Sequence, residues 1–322
     1  MRIGIIGTGR HGSRYANHIL NDVHGMELAA ISRRSPEGAA QAKNWQCNLY
    51  PDWHDLVAAA EVEAVIAAVP PTLNLDIARA CVATRKPLLL EKPLAAGAED
   101  AREIVRICHQ NDLPLTTGQT LRYNQVIRTF KKEFSRLGPL LGFSASQRLE
   151  PITHEWLKQP ELAGAGVSFH TAVHVFDALR YISGQEIIRV MAWTDRPVIE
   201  NRLLALLELE NGATGTVDCS KISHSRSGRF EFIFDRAQLV GDQVHNTCAC
   251  IRGMDRQKID CGEVVSTIVP LLKEWLLFLS AQEGSKNPVS GADGLRAVQV
   301  AAACLESARS NRWVKVKDSR HP

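Results

Sequence analysis

The strongest constraint on this chain lies in its first twelve residues. Ile3 to Ile6 reads as a short apolar strand that runs straight into Gly7-Thr8-Gly9-Arg10-His11-Gly12, and Arg14 to Leu20 behind it reads as a helix. A G-x-G-x-x-G spacing alone is weak, because glycines gather in many turns. Between a strand and a helix it is the setting a dinucleotide requires. There Gly7 permits the tight turn, Gly9 the close approach of a pyrophosphate, and Gly12 the packing of helix on strand. The helix N-terminus then presents unpaired N–H groups to the phosphates.

The residues that follow keep the same rhythm. Leu28 to Ile31, Ala64 to Val69, Leu88 to Leu90 and Leu115 to Thr117 read as strands. Helical stretches near Pro36 to Lys43, Leu73 to Ala83 and Ala98 to Gln110 separate them. Ala64 to Val69 is a continuous apolar run, suited to a strand covered on both faces. This alternation predicts an α/β fold, with a doubly wound parallel sheet of the Rossmann kind over residues 1–119.

After Gln119 the pattern changes. A helix over Tyr123 to Phe134 stops at Gly138-Pro139, Leu140 to Leu149 reads as strand, and Phe169 to Ile182 reads as one helix ending at Gly184. Ile187 to Thr194, Leu203 to Glu210, Thr214 to Ser220 and Phe230 to Phe234 then follow without helices between them. Asn211-Gly212 marks a hairpin. Residues 120–322 are therefore expected to form an α+β domain with a mostly antiparallel open sheet, closed by helices near Val269 to Ala281 and Asp293 to Ala308. The last of these has the option of packing back on the first domain. A hydrophobic content of 45% is enough to fill two cores of this size.

A dinucleotide fold usually carries an acidic residue at the end of its second strand, to hold the ribose 2′-hydroxyl. This chain has Ser32-Arg33-Arg34 there. A carboxylate would repel a 2′-phosphate, whereas a hydroxyl and two guanidiniums would bind it. The expected cofactor is NADP(H), with NAD(H) second. Solvated loop arginines are the plain alternative.

Glu91-Lys92-Pro93 directly after the strand Leu88-Leu89-Leu90 completes a larger pattern. With the glycine turn it includes Val69-Pro70-Pro71, Leu94-Ala95, Gly164-Ala165-Gly166, His174, Asp177 and Gly184. Along nearly its whole length the chain resembles the glucose-fructose oxidoreductase, inositol dehydrogenase and rhizopine-catabolism (Gfo/Idh/MocA) family. The resemblance implies hydride transfer between nicotinamide and a carbinol or carbonyl carbon of a sugar, cyclitol or related polyol. It implies proton exchange at Lys92 and His174. It also implies dimers or tetramers joined through the open sheet, for which the apolar run Leu203 to Leu209 is suited.

Physical chemistry supports both residues. A lysine at the carboxyl edge of a parallel sheet stands where such sheets bind ligands, and partial desolvation lowers its pKa. Histidine titrates in the range needed for proton exchange near neutral pH. Two positions depart from the family's pattern. His170 stands where an Asp is usual, four residues before His174, so the two imidazoles are expected on one helix face. Asn74 stands where a histidine is more common, and it can still hydrogen-bond cofactor or substrate. Cofactor contacts are thus expected from Gly7, Thr8, Gly9, Arg10, His11, Gly12, Ser32, Arg33, Arg34, Val69, Pro70, Asn74, Glu91 and Lys92. Substrate contacts are expected from Lys92, Tyr123, Trp156, His170 and His174, with Arg122 and His154 as further candidates.

Other classes find little support. The net charge is only +3 with no basic stripe, which argues against nucleic acid. No apolar run is long enough to span a bilayer, and the chain enters a strand at once rather than a leader, so a cytoplasmic protein is expected. Eight cysteines lie in apolar or unpatterned contexts. Cys248-x-Cys250 with Cys261 lacks a second C-x-x-C, and His170 with His174 lacks H-E-x-x-H, so no metal is expected. Two rivals remain: a cofactor-binding regulator without turnover, for which His170 is the argument, and a cofactor-assisted glycoside hydrolase.

Overall fold

The computed structural model describes residues 1–151 and 155–317, and the chain divides into two compact units. The first comprises Met1–Gln119 with Thr267–Leu295, and the second Thr120–Ser266 with Arg296–Pro322.

In the first unit strands and helices alternate: β1 (Arg2–Ile6), α1 (Gly12–Asn21), β2 (Glu27–Ser32), α2 (Glu37–Trp45), β3 (Asn48–Tyr50), α3 (Trp53–Ala58), β4 (Ala64–Ala67), α4 (Asn74–Thr84), β5 (Leu88–Glu91), α5 (Ala98–Gln110) and β6 (Leu115–Gly118). The sheet order is β3-β2-β1-β4-β5-β6, and every neighbouring pair is parallel. The order reverses beside β1, where open α/β sheets bind ligands at the strands' carboxyl ends. All four residues of β4 are fully buried, as are Leu88, Leu89 and Leu90, which is why these strands read as unbroken apolar runs. Gly4 belongs to the same packing, since a Cβ there would lie 2.7 Å from Leu56. The short strand β3 and helix α3 lie outside the sequence expectation. Three residues with mixed exposure leave no usable period.

The second unit begins with α6 (Gln125–Phe134), capped by Asn124, whose Oδ1 accepts from Val126 N at 2.9 Å. Then come β7 (Leu140–Arg148), the single turn α7 (Pro160–Ala163), α8 (Val173–Ser183), β8 (Ile187–Thr194), β9 (Arg202–Leu209), β10 (Thr214–Ser220), β11 (Ser227–Phe234), β12 (Gln238–Asp242), β13 (Thr247–Arg252) and β14 (Asp255–Lys258). Helix α9 (Ile268–Leu279) groups with the first unit. Helix α10 (Gly291–Ser310) starts in the first unit and continues into the second, and β15 (Val314–Lys315) ends the described chain.

Nine strands form one sheet in the order β14-β13-β12-β11-β7-β10-β9-β8-β15, antiparallel throughout except between β7 and β10. The Asn211-Gly212 hairpin joins β9 to β10, and Gly212 takes φ +86°. One face of the sheet packs aromatic rings against α6: Phe130 meets Phe232 and Phe134 meets Phe232 with centroids 5.5 Å apart. Burying a side chain such as Phe232, with no exposed surface, is worth about 1.5–3 kcal/mol. The opposite face is open. Along β9 the odd residues Leu203, Ala205, Leu207 and Leu209 are buried, while Leu204 is 47% and Leu206 40% exposed. Beside them the same face forms a hollow of about 530 Å³ lined by Ser144, Thr216, Asp218, Arg229 and Glu231 among others.

The stretch expected as one helix from Phe169 to Ile182 is corrected in its first turn: Ser168–Ala172 is π-helical and α8 follows it. Strands β12 to β14 extend the sheet beyond the last expected strand. All eight cysteines are free thiols, and burial pushes Cys81, Cys108, Cys219 and Cys248 up to about 12. Among the described residues no helix is long and apolar enough to cross a membrane.

Candidate active site

The glycine turn is built as its letters require. Gly7 takes φ +84°, and a Cβ there would meet the Ala68 carbonyl at 2.6 Å. A Cβ on Gly12 would sit 1.9 Å from the Gly7 carbonyl oxygen, so only glycine lets α1 start this close to β1. Gly9 differs: nothing lies within 4 Å of its missing Cβ. Helix α1 begins with no side-chain cap and no acidic residue in its first turn. An uncapped helix end beside an open glycine face fits a dinucleotide pyrophosphate.

Side chains lock this turn from below. The Thr8 carbonyl accepts from Arg33 Nη1 at 2.8 Å, Ser13 Oγ at 2.9 Å and Gln41 Nε2 at 3.0 Å. Thr8 Oγ1 donates to Gln41 Oε1 at 2.6 Å. The Gly7 N–H donates to the Ser32 carbonyl at 2.9 Å, tying the turn to the end of β2. Arg33 is further held by Ser35 Oγ at 2.6 Å and by Glu37 at 3.4 Å. Arg34 and Arg10 are exposed.

A second set of contacts joins the turn to Glu91-Lys92. Glu91, at the buried end of β5, has Oε1 3.0 Å from His11 Nε2 and accepts from Tyr15 Oη at 2.5 Å. Its Oε2 accepts from the Lys92 N–H at 3.1 Å. His11 and Tyr15 are four apart at the start of α1, which places both on the face turned to β5. Burial alone would raise the Glu91 pKa, but the charges of His11 and Lys92 and the hydrogen bonds from His11 and Tyr15 hold the carboxyl below its ordinary value. Tyr15 is pushed well above its ordinary value, first by burial and then by the adjacent Glu91 charge. Burial lowers the pKa of the half-buried Lys92, opposed by Glu91. The loop beyond is fastened by Asn74, whose Nδ2 donates to the Pro93 and Leu94 carbonyls at 3.3 and 3.1 Å. Val69 and Pro70 are half-buried between β4 and α4. Tyr15, Gln41 and Gln119 are positions the sequence reading passed over. Only Tyr15 carried a signal, its spacing from His11.

In the second unit His170 lies in the π-helical turn, with Nε2 3.0 Å from the Ala163 carbonyl and Trp156 edge-on at 5.6 Å. His170 is 8% exposed, and His174, in the first turn of α8, is half-buried. The turn rests on Glu200, a residue also missed. Its carboxylate accepts from Gly166 N at 3.1 Å, Ser168 N at 2.8 Å and Ser168 Oγ. A Cβ on Gly166 would lie 2.0 Å from the Glu200 carbonyl, which explains the glycine. Arg122 forms a two-pronged pair with the buried Asp177 at 2.7 and 2.6 Å, and the Arg180 guanidinium stands 3.8 Å from the same carboxylate. Tyr123 is buried, with the Arg128 guanidinium 4.8 Å from its ring centre. His154 lies outside the described residues.

Comparison with known proteins follows the same division. Residues 1–119 match the oxidoreductase family with an NAD-binding Rossmann fold, and residues 135–240 match the GFO/IDH/MocA C-terminal domain. A myo-inositol 2-dehydrogenase of Thermotoga maritima is 25% identical over 346 residues, covering 99% of each chain. An inositol 2-dehydrogenase of Saccharopolyspora erythraea is 27% identical, covering 100% of this chain and 98% of its own. Among solved structures, a levoglucosan dehydrogenase in complex with NADH and levoglucosan shares the fold at a TM-score of 0.89 and 21% identity, covering 99% of this chain and all of its own. Two matching domains, in the order and with the turn geometry described above, establish that the chain belongs to the Gfo/Idh/MocA oxidoreductase family.

Proposed function

We propose that this protein is a nicotinamide-dependent dehydrogenase or reductase acting on a CH–OH group of a sugar, cyclitol or related polyol. The observation that carries the reading is the link from glycine turn to Lys92: His11 and Tyr15 fix Glu91, and Glu91 fixes the backbone of a lysine whose charge is weakened by burial. The first unit, Met1–Gln119 with Thr267–Leu295, holds the dinucleotide, and the second unit supplies the substrate side. The bound nicotinamide supplies the hydride chemistry. Lys92 exchanges the proton of the reacting hydroxyl, and His174 serves as the second proton-exchanging group. Trp156 offers an apolar face to a sugar ring, and His170 bears on the site through its contact with Trp156. The relatives named for inositol and levoglucosan support this substrate class.

NADP(H) is the preferred cofactor in this reading. The end of β2 offers Ser32, Arg33 and Arg34 and no carboxylate. Because Arg33 is drawn back to Thr8, Ser35 and Glu37, the exposed Arg34 carries most of the 2′-phosphate contact. Copies of the chain associate through the open sheet face bearing Leu204 and Leu206, which sedimentation of a Leu204→Glu, Leu206→Glu variant checks by its smaller mass. A cytoplasmic location goes with eight free thiols.

The test is a fluorescence titration with NADPH and NADH, for the wild type and an Arg34→Ala variant, followed by turnover on a sugar and polyol panel. NADPH is expected to bind more tightly, and the variant to lose at least about tenfold for NADPH but little for NADH, as for charge-assisted hydrogen bonds. Failure to bind either nucleotide sinks the reading. Tight binding without turnover turns it into a regulator. Turnover without net change in nicotinamide absorbance turns it into a hydrolase.

A further inference from the structure

The last strand of the first unit's sheet ends in a side chain that folding leaves unmet. In β6 the buried hydroxyls are paired within the unit: Thr116 Oγ1 donates to Asn287 Oδ1 at 2.8 Å and Thr117 Oγ1 to the Ser290 carbonyl at 3.4 Å. Gln119, the next polar residue, is 1% exposed, and its Oε1 is buried and accepts no hydrogen bond among the described residues. Its backbone N–H donates to the Thr117 carbonyl at 2.8 Å. A buried amide oxygen without a donor costs free energy that an apolar residue of the same shape would not. Such a group calls for a partner.

Its place says which one. Gly118 is the register partner of Glu91, and the two strands run so close there that a Cβ on Gly118 would lie 2.6 Å from Glu91 Oε1. Gln119 therefore follows Gly118 as Lys92 follows Glu91. On the other side of β5, Asn74 Oδ1 is likewise buried without a donor. In a doubly wound sheet of order 3-2-1-4-5-6 the half holding β4, β5 and β6 takes the second nucleotide of the dinucleotide. The group on that nucleotide that both donates and accepts in one plane is the carboxamide of the nicotinamide.

We propose that Gln119 is the residue that recognises the nicotinamide carboxamide: Oε1 accepts from the carboxamide NH₂, and the side-chain NH₂ is placed to donate to its carbonyl. This fixes the rotation of the ring about its glycosidic bond, and so which ring face meets the substrate. The assignment rests on the dinucleotide reading above, and the test separates the two.

Calorimetric titrations compare wild type, Gln119→Met and Gln119→Leu against NADPH and against 2′-phospho-ADP-ribose, which is the same ligand without the nicotinamide. Both variants are expected to lose on the order of tenfold for NADPH. They are expected to keep the ADP-ribose fragment within about twofold, the scatter of a surface-like change. Without ligand their thermal midpoints should equal or exceed wild type, since no hydrogen bond is lost. Equal losses for both ligands, no loss for NADPH, or failure of both variants to fold overturns the assignment. Wild type that binds neither NADPH nor NADH overturns the dinucleotide reading and this assignment with it; where NADH is the tighter ligand, NADH and ADP-ribose take the places of the phosphorylated pair. Wild type that binds the fragment as tightly as NADPH overturns this assignment alone.

Discussion

Helix α1 and the helical segment that carries His174 begin in opposite ways. α1 starts behind the glycine turn with no side-chain cap and an open face at Gly9. The segment from Ser168 starts on the buried Glu200 carboxylate, which takes the Gly166 and Ser168 N–H groups and the Ser168 hydroxyl. Both beginnings carry the same partial positive charge. In the second unit the chain neutralises it with its own residue, so the helix becomes a fixed platform for His170 and His174. In the first unit no side chain among the described residues caps the helix, which leaves an end suited to a phosphate. A helix end that is filled supports side chains; one that is left unfilled keeps its N–H groups open to an anion.

The sharpest way to break this contrast uses one substitution at two glycines. Gly12→Ala forces a Cβ to 1.9 Å from the Gly7 carbonyl oxygen, a backbone atom that cannot step aside. The expected cost is about 3 kcal/mol or more, the upper end for overpacking. Gly9→Ala meets nothing within 4 Å, and its φ is not in the left-handed region, so stability should stay within about 0.5 kcal/mol. Nucleotide affinity should nevertheless fall at least about tenfold, because the methyl occupies the approach of the pyrophosphate. Thermal denaturation and titration of both variants decide it. Unchanged binding in Gly9→Ala would remove the phosphate from this turn.

The second unit gives the smaller effect. Glu200→Ala strands two buried N–H groups and a hydroxyl, for an expected loss of about 2 kcal/mol. That corresponds to roughly 4–8 °C in thermal midpoint for a unit of this size. Glu200→Gln keeps an acceptor and should lose less than half as much. Nucleotide affinity should stay at wild-type level in both. A midpoint within a degree of wild type for Glu200→Ala would mean that the platform does not depend on its cap.

These cases also show what kind of information a sequence displays. The parallel sheet was legible because strands covered on both faces must be apolar along their length, as Ala64–Ala67 and Leu88–Leu90 are. Gly7 and Gly12 were legible because the backbone itself demands glycine. Glu91-Lys92-Pro93 was legible as a pattern, but not that His11 and Tyr15 hold its carboxylate. Glu200 was silent: it caps residues 32 and 34 positions away, and nothing local distinguishes it from a surface glutamate. The π-helical turn was hidden for the same reason, since it is fitted to Glu200 by packing at Gly166. Strand β14, exposed at all four residues, offers no period to read. Gln119 was invisible because an unmet hydrogen bond is a property of the fold, not of the letter.

The finest distinction between the units lies in how charge is managed at Lys92. Burial lowers its pKa and Glu91 pulls it back, so the group titrates below the ordinary lysine value of 10.5. If Lys92 accepts the hydroxyl proton during oxidation, its neutral form is the active one. The oxidation rate should then rise with pH through an apparent pKa below 10.5. Glu91→Gln removes the carboxylate that favours the charged lysine, so the rising limb should move to still lower pH while nucleotide binding persists. Stability follows with a definite sign. The folded state disfavours the lysine charge, so the unfolded chain binds more protons between the lowered and the ordinary value. The protein therefore gains stability as pH rises across that interval. Lys92→Met should erase that gain, with its midpoint raised below the interval and level with wild type above it. A rising limb at or above 10.5, unmoved by Glu91→Gln, would show that another group takes the proton and that Lys92 only positions the substrate.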